Sequence, residues 1–468
     1  MNTLAKLDRA HVWHPFTQMR DWLRREPIVI TSGKGAVLRD VHGRKYLDAN
    51  ASIWTNLHGH QHPKINAAIA RQLRKISHSS ALGFANEPAS LLAARLVNLA
   101  GKPLNKVFFS DDGSTALEVA LKLAHEFTRR SRGPKTKPRF LSLDGAYHGD
   151  TIGAVSLGHI DQFHKAYGGM LFKTDKVMSP YCYRCPFNRA KPERADAREY
   201  RKCNWECVGK VEQKFFAQKK RGNPYAAFVY EPLLQGAAGM IPQPARWLKR
   251  VTDIARAHGA LLIADEVMTG FGRTGKHFAS QREGVPPDFL CLAKGLTGGY
   301  LPMAATLTTQ RVFDAFLGEY EEFKTFFHGH SFTGNQLGAS AALASLEILQ
   351  SQVSKITRVK LETNFAQKLQ SLWALPNVGD IRRAGLVAGV ELVRNWCTRE
   401  PFALRERAGI RVCEAMARRG VLTRPVGNVI VLMPPYCTTP AEVRRMVSAL
   451  RESVTEVLGG RKEKTPGF

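Results

Sequence analysis

The sequence of 468 residues lacks any long apolar run, and this absence excludes several kinds of protein. No stretch of about 18 apolar residues occurs, so the sequence predicts no transmembrane helix. The N-terminal segment MNTLAKLDRAHVWHPF also lacks the apolar core of a secretory signal peptide. We therefore expect a cytoplasmic protein with no membrane partner.

Acidic residues are scarce relative to basic ones. The chain has 40 Asp and Glu against 68 Lys and Arg, which gives a formal net charge of +28. Such an excess could attract nucleic acid or other anions. The basic residues are scattered, however, with short clusters at 129–139 and 219–222, and no nucleic-acid-binding motif accompanies them. We expect a basic, solvated surface and no nucleic-acid partner.

Cysteine is sparse as well, and its spacing is informative at one place. Four of the eight cysteines are isolated in sequence: Cys291, Cys397, Cys413 and Cys437. The segment 181–207, YCYRCPFNRAKPERADAREYRKCNWEC, contains the others: Cys182 and Cys185 form C-x2-C, and Cys203 and Cys207 form C-x3-C. This spacing permits a four-thiolate zinc knuckle, although free thiols or a local disulfide are alternatives. We assign no metal to the candidate active site.

Short apolar runs alternate with helical patterns from about residue 105 onward, as in KVFF, AAFVY, LLIAD and PDFLCLA. This alternation predicts an α/β fold whose sheet is mostly parallel and covered by helices on both faces. We divide the chain into an N-terminal arm with part of a small domain (1–60), a large domain (61–335) and a C-terminal small α/β domain (336–468). The cysteine-rich segment, at about 180–210, is an insertion in the large domain.

Three predicted strand ends carry residues with chemical potential. Asp265 ends LLIAD, Lys294 ends FLCLAK, and the loop SDDGST (110–115) follows VFF and opens a helix. Open α/β sheets bind ligands at the carboxyl ends of their strands. A lysine that forms a Schiff base, a carboxylate for a pyridinium nitrogen and a helix N-terminus for a phosphate match the needs of pyridoxal phosphate. We therefore predict that cofactor.

The stretch GFGRTG (270–275) suggests a competing interpretation, because it satisfies the G-x-G-x-x-G pattern of dinucleotide-binding sites. The residues that follow it, KHFASQREGVPPD, form a poor helix. Asp288 would begin the next strand, whereas a ribose-binding acid should end one. These two features argue against a dinucleotide site.

Asp265-Glu266-Val267 with GFGRTG, followed by Lys294 in AKGLTGGYLP, resembles the class III, fold-type I aminotransferases over nearly the whole chain. Three stretches, 11–19, 145–158 and 326–338, are similar to the members that act on 8-amino-7-oxononanoate. The resemblance implies transamination of that compound to 7,8-diaminononanoate in biotin biosynthesis. An alternative is another class III ω-aminotransferase that acts on a diamine or a β-amino acid. The segment HPFTQM and Arg424 argue against this alternative, because both belong to the pattern of the members that act on 8-amino-7-oxononanoate.

The resemblance also implies roles for residues of the large domain. Lys294 would bind the cofactor and shuttle a proton, and Asp265 would hold the pyridinium N–H. Gly113 and Ser114 would bind the phosphate, and Tyr147 would cover one face of the ring and contact the substrate. Two neighbours of Tyr147, His148 and Gly149, would shape its turn, and Glu231 is placed near the site without a role.

Further roles implied by the resemblance involve the substrate and a second subunit. Ser331, with Gly329 and His330, would reach the phosphate from the neighbouring subunit of a homodimer, and Gly329 is also assigned to the substrate pocket. Trp54 would line that pocket, and Arg424 would bind the substrate carboxylate.

The amino donor implied by the resemblance is either S-adenosylmethionine or lysine. Phe16 would contact the substrate, because its position and that of Ile53 lie beside the donor site. Members that use S-adenosylmethionine commonly have Tyr at the position of Phe16 and a second Trp at the position of Ile53. Without the hydroxyl and the indole, a hydrogen-bond partner and a stacking surface are lost. Members that use lysine resemble this chain at both positions.

Overall fold

The protein is described here from a computed structural model that covers residues 1–459. Its strands are β1 (Ile30–Lys34), β2 (Val37–Asp40), β3 (Lys45–Asp48), β4 (Leu104–Ser110), β5 (Phe140–Leu143), β6 (Asp175–Val177), β7 (Ala227–Tyr230), β8 (Leu234–Gln235), β9 (Ile241–Pro242), β10 (Leu261–Asp265), β11 (Phe289–Leu292), β12 (Ala304–Thr309), β13 (Val378–Ala384), β14 (Val387–Asn395), β15 (Glu400–Pro401), β16 (Val421–Leu422), β17 (Pro425–Val426) and β18 (Val429–Leu432).

The helices are α1 (Thr3–His11), α2 (Met19–Trp22), α3 (Ala51–Trp54), α4 (Pro63–Lys75), α5 (Glu87–Ala100), α6 (Gly113–Arg132), α7 (Ile152–Leu157), α8 (Asp161–His164), α9 (Ala197–Tyr200), α10 (Glu206–Lys220), α11 (Trp247–Ala257), α12 (Gln310–Asp314), α13 (Gln336–Gln350), α14 (Gln352–Leu369), α15 (Ala408–Arg418) and α16 (Pro440–Leu458). No helix within residues 1–459 is both long and apolar enough to cross a membrane. The location of the protein in the cell stays a prediction.

The central sheet has seven strands in the order β4-β12-β11-β10-β7-β5-β6. The pairs from β11 to β6 are parallel, whereas β12 runs antiparallel to both β11 and β4. Two consecutive strands can pair in parallel only through a crossover connection of about a dozen residues or more. The connection 293–303 from β11 to β12 is shorter than this, so β12 pairs with β11 in the antiparallel direction. The mostly parallel α/β sheet predicted from the sequence is confirmed.

Both faces of this sheet are covered, as its continuous apolar strands predict. Along β7, Phe228 packs into one buried cluster with residues of α11, and its neighbour Val229 packs into another with residues of α6. Successive side chains of a strand point to opposite faces. The two helices therefore lie on opposite faces of the sheet, and every residue of β7, β10 and β11 is buried between the layers.

The strands outside the central sheet join distant parts of the chain. The sheet β1-β2-β3-β16 pairs β3 in parallel with β16, so that Leu47 lies opposite Val421. A further sheet has the order β13-β14-β18-β17, with β15 paired to β14. The predicted domain boundaries at 60 and 335 stay predictions, and the last part of the predicted C-terminal domain, 460–468, lies outside the described residues.

The stretch GFGRTG forms consecutive turns between β10 and β11, and no helix begins there. Arg273 is fully buried within it and donates hydrogen bonds to the carbonyl oxygens of Pro434 and Asn56, each at 2.8 Å. These contacts give the stretch a structural role. They agree with the argument against a dinucleotide site.

Candidate active site

The carboxyl ends of β4, β10 and β11 open on one cavity of about 750 Å³. Six of the residues singled out in the sequence line it: Trp54, Gly113, Ser114, Tyr147, Asp265 and Lys294. His148, Gly149 and Glu231 line it as well. The structure therefore brings together the lysine, the carboxylate and the helix N-terminus that the sequence placed at three separate strand ends.

Lys294 follows β11 in a tight turn and has a left-handed backbone, with φ of 44°. Its Nζ atom lies 4.8 Å from the centre of the Trp54 ring at the cavity wall. Desolvation lowers the pKa of the Lys294 amine, although the negative charges of Asp265 and Glu231 oppose this effect. A lowered pKa makes the neutral, nucleophilic form of the amine more accessible near neutral pH.

Asp265 is buried at the end of β10, and two hydrogen bonds fix its orientation. Its Oδ2 lies 2.8 Å from Nδ1 of His148, and its Oδ1 accepts a hydrogen bond from the Val267 N–H at 3.0 Å. Burial alone would lower the pKa of His148. The hydrogen bond and charge of Asp265, with the charge of Glu231, outweigh burial and raise it. The Asp265 carboxylate thus favours the protonated form of the His148 ring behind it.

Glu231 lies beneath the loop that carries Tyr147. Its carboxylate accepts hydrogen bonds from the Tyr147 N–H at 3.2 Å and the Gly236 N–H at 2.7 Å. Burial raises the pKa of this carboxyl group to about 7. Glu231, left without a role by the sequence, holds the backbone of the tyrosine loop.

The ring of Tyr147 forms one wall of the cavity. Its hydroxyl donates a hydrogen bond to Oδ2 of Asp150 at 2.7 Å, and its ring stacks on His164 with the centres 6.2 Å apart. Burial, and then the hydrogen bond to Asp150, raise the pKa of Tyr147, so the phenol stays protonated. The hydrogen bond to Asp150 and the stacking on His164 together fix the position of the Tyr147 side chain.

The N-terminus of α6 also lines the cavity, next to the loop that carries Tyr147. Asp112 caps the helix by accepting the Thr115 N–H at 2.9 Å, and Ser114 Oγ accepts the Asp150 N–H at 2.8 Å. Gly149 has φ of +120°, and a Cβ atom built on it would lie 1.8 Å from Ser114 Oγ. The turn and the helix therefore meet at a distance that only glycine permits. The first turn of α6 lines the cavity, and helix N-termini of this kind bind phosphate groups.

Other predicted residues lie outside the lining of this cavity. Arg424 is exposed, and its Nη2 donates to the carbonyl oxygen of Phe16 at 3.4 Å. The Phe16 ring packs edge-on against Tyr147, with centres 6.4 Å apart. Arg424 and Phe16 are therefore adjacent to the entrance, and Ile53, 42% exposed, does not line the cavity.

Within the segment 326–338, residues 326–333 are exposed or half-buried, whereas Gly334, Gln336 and Gly338 are buried. The Nδ1 atom of His330 lies 2.9 Å from Asp111 Oδ2, and the Ser331 carbonyl contacts Nε2 of His78 at 2.8 Å. Gly329, His330 and Ser331 do not line the cavity of their own chain. Their contribution to a neighbouring subunit stays a prediction.

Sequence reasoning missed several residues of the cavity wall. Asp150 follows GAYHG directly, and Tyr300 lies in the glycine-rich loop after Lys294, so both were close to recognised motifs. Met268 carried no signal, since an apolar residue in a turn has no pattern that separates a cavity wall from the core.

Comparison with protein families matches residues 19–454 to the family described as aminotransferase class-III. A relative from Geobacter sulfurreducens, named adenosylmethionine-8-amino-7-oxononanoate aminotransferase, is 48% identical over 461 residues, which cover 98% of each chain. A protein of the same name from Methanocaldococcus jannaschii is 42% identical over 460 residues, which cover 97% of this chain and 98% of that protein.

Solved structures show the same likeness. A crystal structure of the Methanocaldococcus jannaschii protein superposes with a TM-score of 0.89 at 40% identity, covering 97% of this chain and 98% of that one. A PLP-bound amine transaminase from an uncultivated Pseudomonas species superposes with a TM-score of 0.87 at 34% identity, covering 95% of this chain and 98% of that one.

Proposed function

The chain belongs to the class-III aminotransferase family, and from this premise we propose that it transfers an amino group to 8-amino-7-oxononanoate, giving 7,8-diaminononanoate in biotin biosynthesis. Relatives at 42% to 48% identity, matched over 97% or 98% of this chain, carry names that specify this acceptor. The observation that carries the proposal is the meeting of Lys294, Asp265 and the α6 N-terminus at one cavity.

The residues of the cavity fit pyridoxal phosphate. The first turn of α6, with Gly113 and Ser114, would hold the phosphate, Asp265 the ring nitrogen, and Lys294 the aldehyde carbon. When bound, this cofactor supplies an electron sink for the amine-bearing carbon and carries the amino group between donor and acceptor.

The side chains of the site have distinct tasks in this reaction. In the donor half-reaction, neutral Lys294 would accept a proton at Nζ from the amine-bearing carbon and pass it to the cofactor. In the acceptor half-reaction, it would carry a proton from the cofactor to the acceptor carbon. Asp265, hydrogen-bonded to the His148 ring, would accept the hydrogen bond of a pyridinium N–H and keep that proton in place. The fixed ring of Tyr147 covers one face of the site and excludes water.

Arg424 would bind the carboxylate at the far end of the acceptor. It is exposed beside Phe16 at the entrance, where a long substrate tail would leave the cavity. A guanidinium group binds a carboxylate through two parallel hydrogen bonds. Trp54, held by a hydrogen bond from its Nε1 to Asn50 Oδ1 at 2.9 Å, would flank the substrate.

For the amino donor, the names of the relatives favour S-adenosylmethionine. Lysine is the second candidate, because Phe16 offers no hydroxyl at the entrance and Ile53 is an exposed aliphatic residue. Neither residue offers a hydrogen bond or an indole surface to an adenosyl group.

The site would be completed in a homodimer. Four large apolar side chains on or near the segment 326–338 are 60% to 87% exposed: Leu82, Phe84, Phe327 and Phe332. Apolar surface of this kind is typical of an interface. Light scattering of the purified protein should give twice the mass of the chain.

The experiment is a half-reaction followed by absorbance. Purified protein with pyridoxal phosphate should show the visible band of the lysine-bound cofactor, and either S-adenosylmethionine or lysine should bleach it. Adding 8-amino-7-oxononanoate should restore it. If a diamine or β-amino acid bleaches the band and this ketone does not restore it, the alternative within the family is correct.

Lys294→Ala should abolish both the visible band and turnover while leaving the fold intact, because it removes the amine without removing a hydrogen bond of the core. Lys276→Ala, an exposed lysine 18 residues earlier, is the control and should behave as the wild type. Normal turnover by Lys294→Ala, in an assay where the control is active, would refute the assigned role. Circular dichroism verifies folding.

A further inference from the structure

Four of the eight cysteines meet at one place that the proposed reaction does not use. Cys182, Cys185, Cys203 and Cys207 all line a single cavity of about 10 Å³, and none of them lines the active-site cavity. None of them forms a disulfide. The two pairs, separate in sequence, therefore converge in the fold.

The backbone around the thiols holds the two pairs side by side. Cys182 begins a 3₁₀ turn, and Cys207 lies in the first turn of α10. Asn188 bridges the two parts, because its Nδ2 donates to the Cys182 carbonyl at 3.0 Å and its Oδ1 accepts the Lys202 N–H at 2.9 Å. The convergence is built by specific hydrogen bonds.

The charge around the cavity favours an anionic cluster. The lining includes Arg201 and no Asp or Glu. The Arg201 guanidinium stacks 4.5 Å from the centre of the Trp205 ring, which also lines the cavity. A zinc ion with four thiolates carries a net charge of about −2, so a neighbouring cation stabilises it.

The apolar packing within the segment itself is small. Its own apolar cluster contains only three buried residues, Cys182, Tyr183 and Ala197. Structural zinc supplies folding free energy to segments that lack a core of sufficient size. The C-x2-C and C-x3-C spacings lie in the range of structural zinc sites.

We propose that Cys182, Cys185, Cys203 and Cys207 bind one structural zinc ion as four thiolates. As the side chains stand, no three His, Cys, Asp or Glu residues within 1–459 are grouped at metal-binding positions. Binding therefore requires the thiols to rotate into the cavity that they line. Each thiol releases its proton to solvent as its Zn–S bond forms, and no oxidation takes place.

The test measures zinc in the full-length protein, purified under reducing conditions and dialysed after exposure to Zn²⁺. Mass spectrometry of the metal should find about one zinc per chain. The double variant Cys182→Ser with Cys203→Ser should lose it. Cys397→Ser, which changes an exposed cysteine outside the cluster, is the matched control and should retain it.

A second measurement on the wild type covers the case in which the double variant fails to fold. A mercurial reagent should release the zinc as four thiols react, and Co²⁺ in its place should give the visible bands of tetrahedral thiolate coordination. Zinc-exposed wild type without bound metal, or a native mass showing disulfides among these cysteines, would overturn the proposal. These readouts do not depend on transamination.

Discussion

Asp265 shows how one residue can set the charge of its neighbour as well as bind a ligand. Asp265→Asn keeps the shape of the side chain and removes its negative charge. The pKa of His148 would then fall, because burial lowers it and the charge of Asp265 no longer opposes burial, and the ring nitrogen of a bound cofactor would lose its carboxylate partner. We expect kcat/KM to fall by at least about 100-fold.

Steady-state kinetics at saturating pyridoxal phosphate measure this loss. Asp253→Asn, in which the exposed partner of Lys249 on α11 is changed, provides the control and should keep its activity. A fall of less than about threefold in Asp265→Asn would contradict the assigned role.

Glu266, the next residue, makes stability depend on pH. Its carboxylate is fully buried and accepts the Ala279 and Ser280 N–H groups, and burial raises its pKa from 4.5 to about 7. The native state therefore binds this proton more tightly than the unfolded state. The contribution of Glu266 to stability is greatest below about pH 4.5 and falls as the pH rises to about 7, by roughly 3 kcal/mol.

Glu266→Gln should remove this part of the pH dependence, because glutamine does not ionise. Urea denaturation between pH 5 and pH 8 compares the slopes of the free energy of unfolding, and Glu212→Gln, an exposed residue of α10, is the control. If the slopes of Glu266→Gln and the wild type coincide, Glu266 does not titrate in this range.

The residue scale also shows what the sequence could and could not predict. The position of Lys294 and Asp265 at the cavity was predictable from the sequence. Each ends an apolar run, and a charged side chain at the end of a buried strand is costly unless it has a partner or a function. The partnership of Asp265 with His148 joins residues 117 positions apart, so no local pattern could reveal it. Glu231 was placed near the site, but its hydrogen bonds to a distant loop could not be derived.

At the scale of elements, the turn at Gly149 positions the N-terminus of α6. Gly149→Ala would place a methyl group 1.8 Å from Ser114 Oγ and would strain a backbone with φ of +120°. The turn and helix would separate, and we expect at least a tenfold weaker affinity for pyridoxal phosphate, measured by fluorescence titration.

Gly133→Ala is the matched control, because Gly133 has a similar φ of +105° but open space around its Cβ position. It should lose about 1 kcal/mol of stability through backbone strain and keep its cofactor affinity. Equal affinities in both variants would show that the close approach at Gly149 is not needed.

The element α3 shows where sequence patterns fail. Its four residues, Ala51 to Trp54, all have positive φ, from 45° to 70°, so the turn is left-handed. Asp48 stabilises it by accepting hydrogen bonds from the Ser52 N–H and hydroxyl at 3.1 and 2.8 Å. Left-handed residues cost about 1–2 kcal/mol each, so no propensity predicts them. The sequence allowed Trp54 to be predicted as an aromatic residue of the pocket, but it did not predict the left-handed backbone of this turn.

On the scale of the whole molecule, buried charge joins the cysteine-rich segment to the sheet of β13 and β14. Arg382 is fully buried and contacts Asp380 at 3.0 Å and Glu391 at 2.5 Å, and Glu391 also accepts a hydrogen bond from Arg184 of the segment at 2.7 Å. Arg382→Met would leave two buried carboxylates without this partner. We expect a loss of about 3–5 kcal/mol of stability.

Urea denaturation measures this loss, and Arg405→Met, an exposed arginine, should change the free energy of unfolding by less than about 0.5 kcal/mol. A similar small change in Arg382→Met would show that the buried network contributes little. The alternation of apolar runs and helical patterns in the sequence predicted the central sheet. The buried network has no such signature, because it joins one residue of the cysteine-rich segment to three residues of β13 and β14.

The pairing of β3 with β16 has a consequence for the order of events during synthesis. Leu47 and Val421 are more than 370 residues apart, and the next residue after Leu47 is Asp48, which supports the turn beneath Trp54. A nascent chain therefore cannot complete this wall of the cavity until nearly all of it has left the ribosome. Lys294 is synthesised long before this pocket closes, so the growing polypeptide has no finished cavity around its reactive amine until translation is almost over.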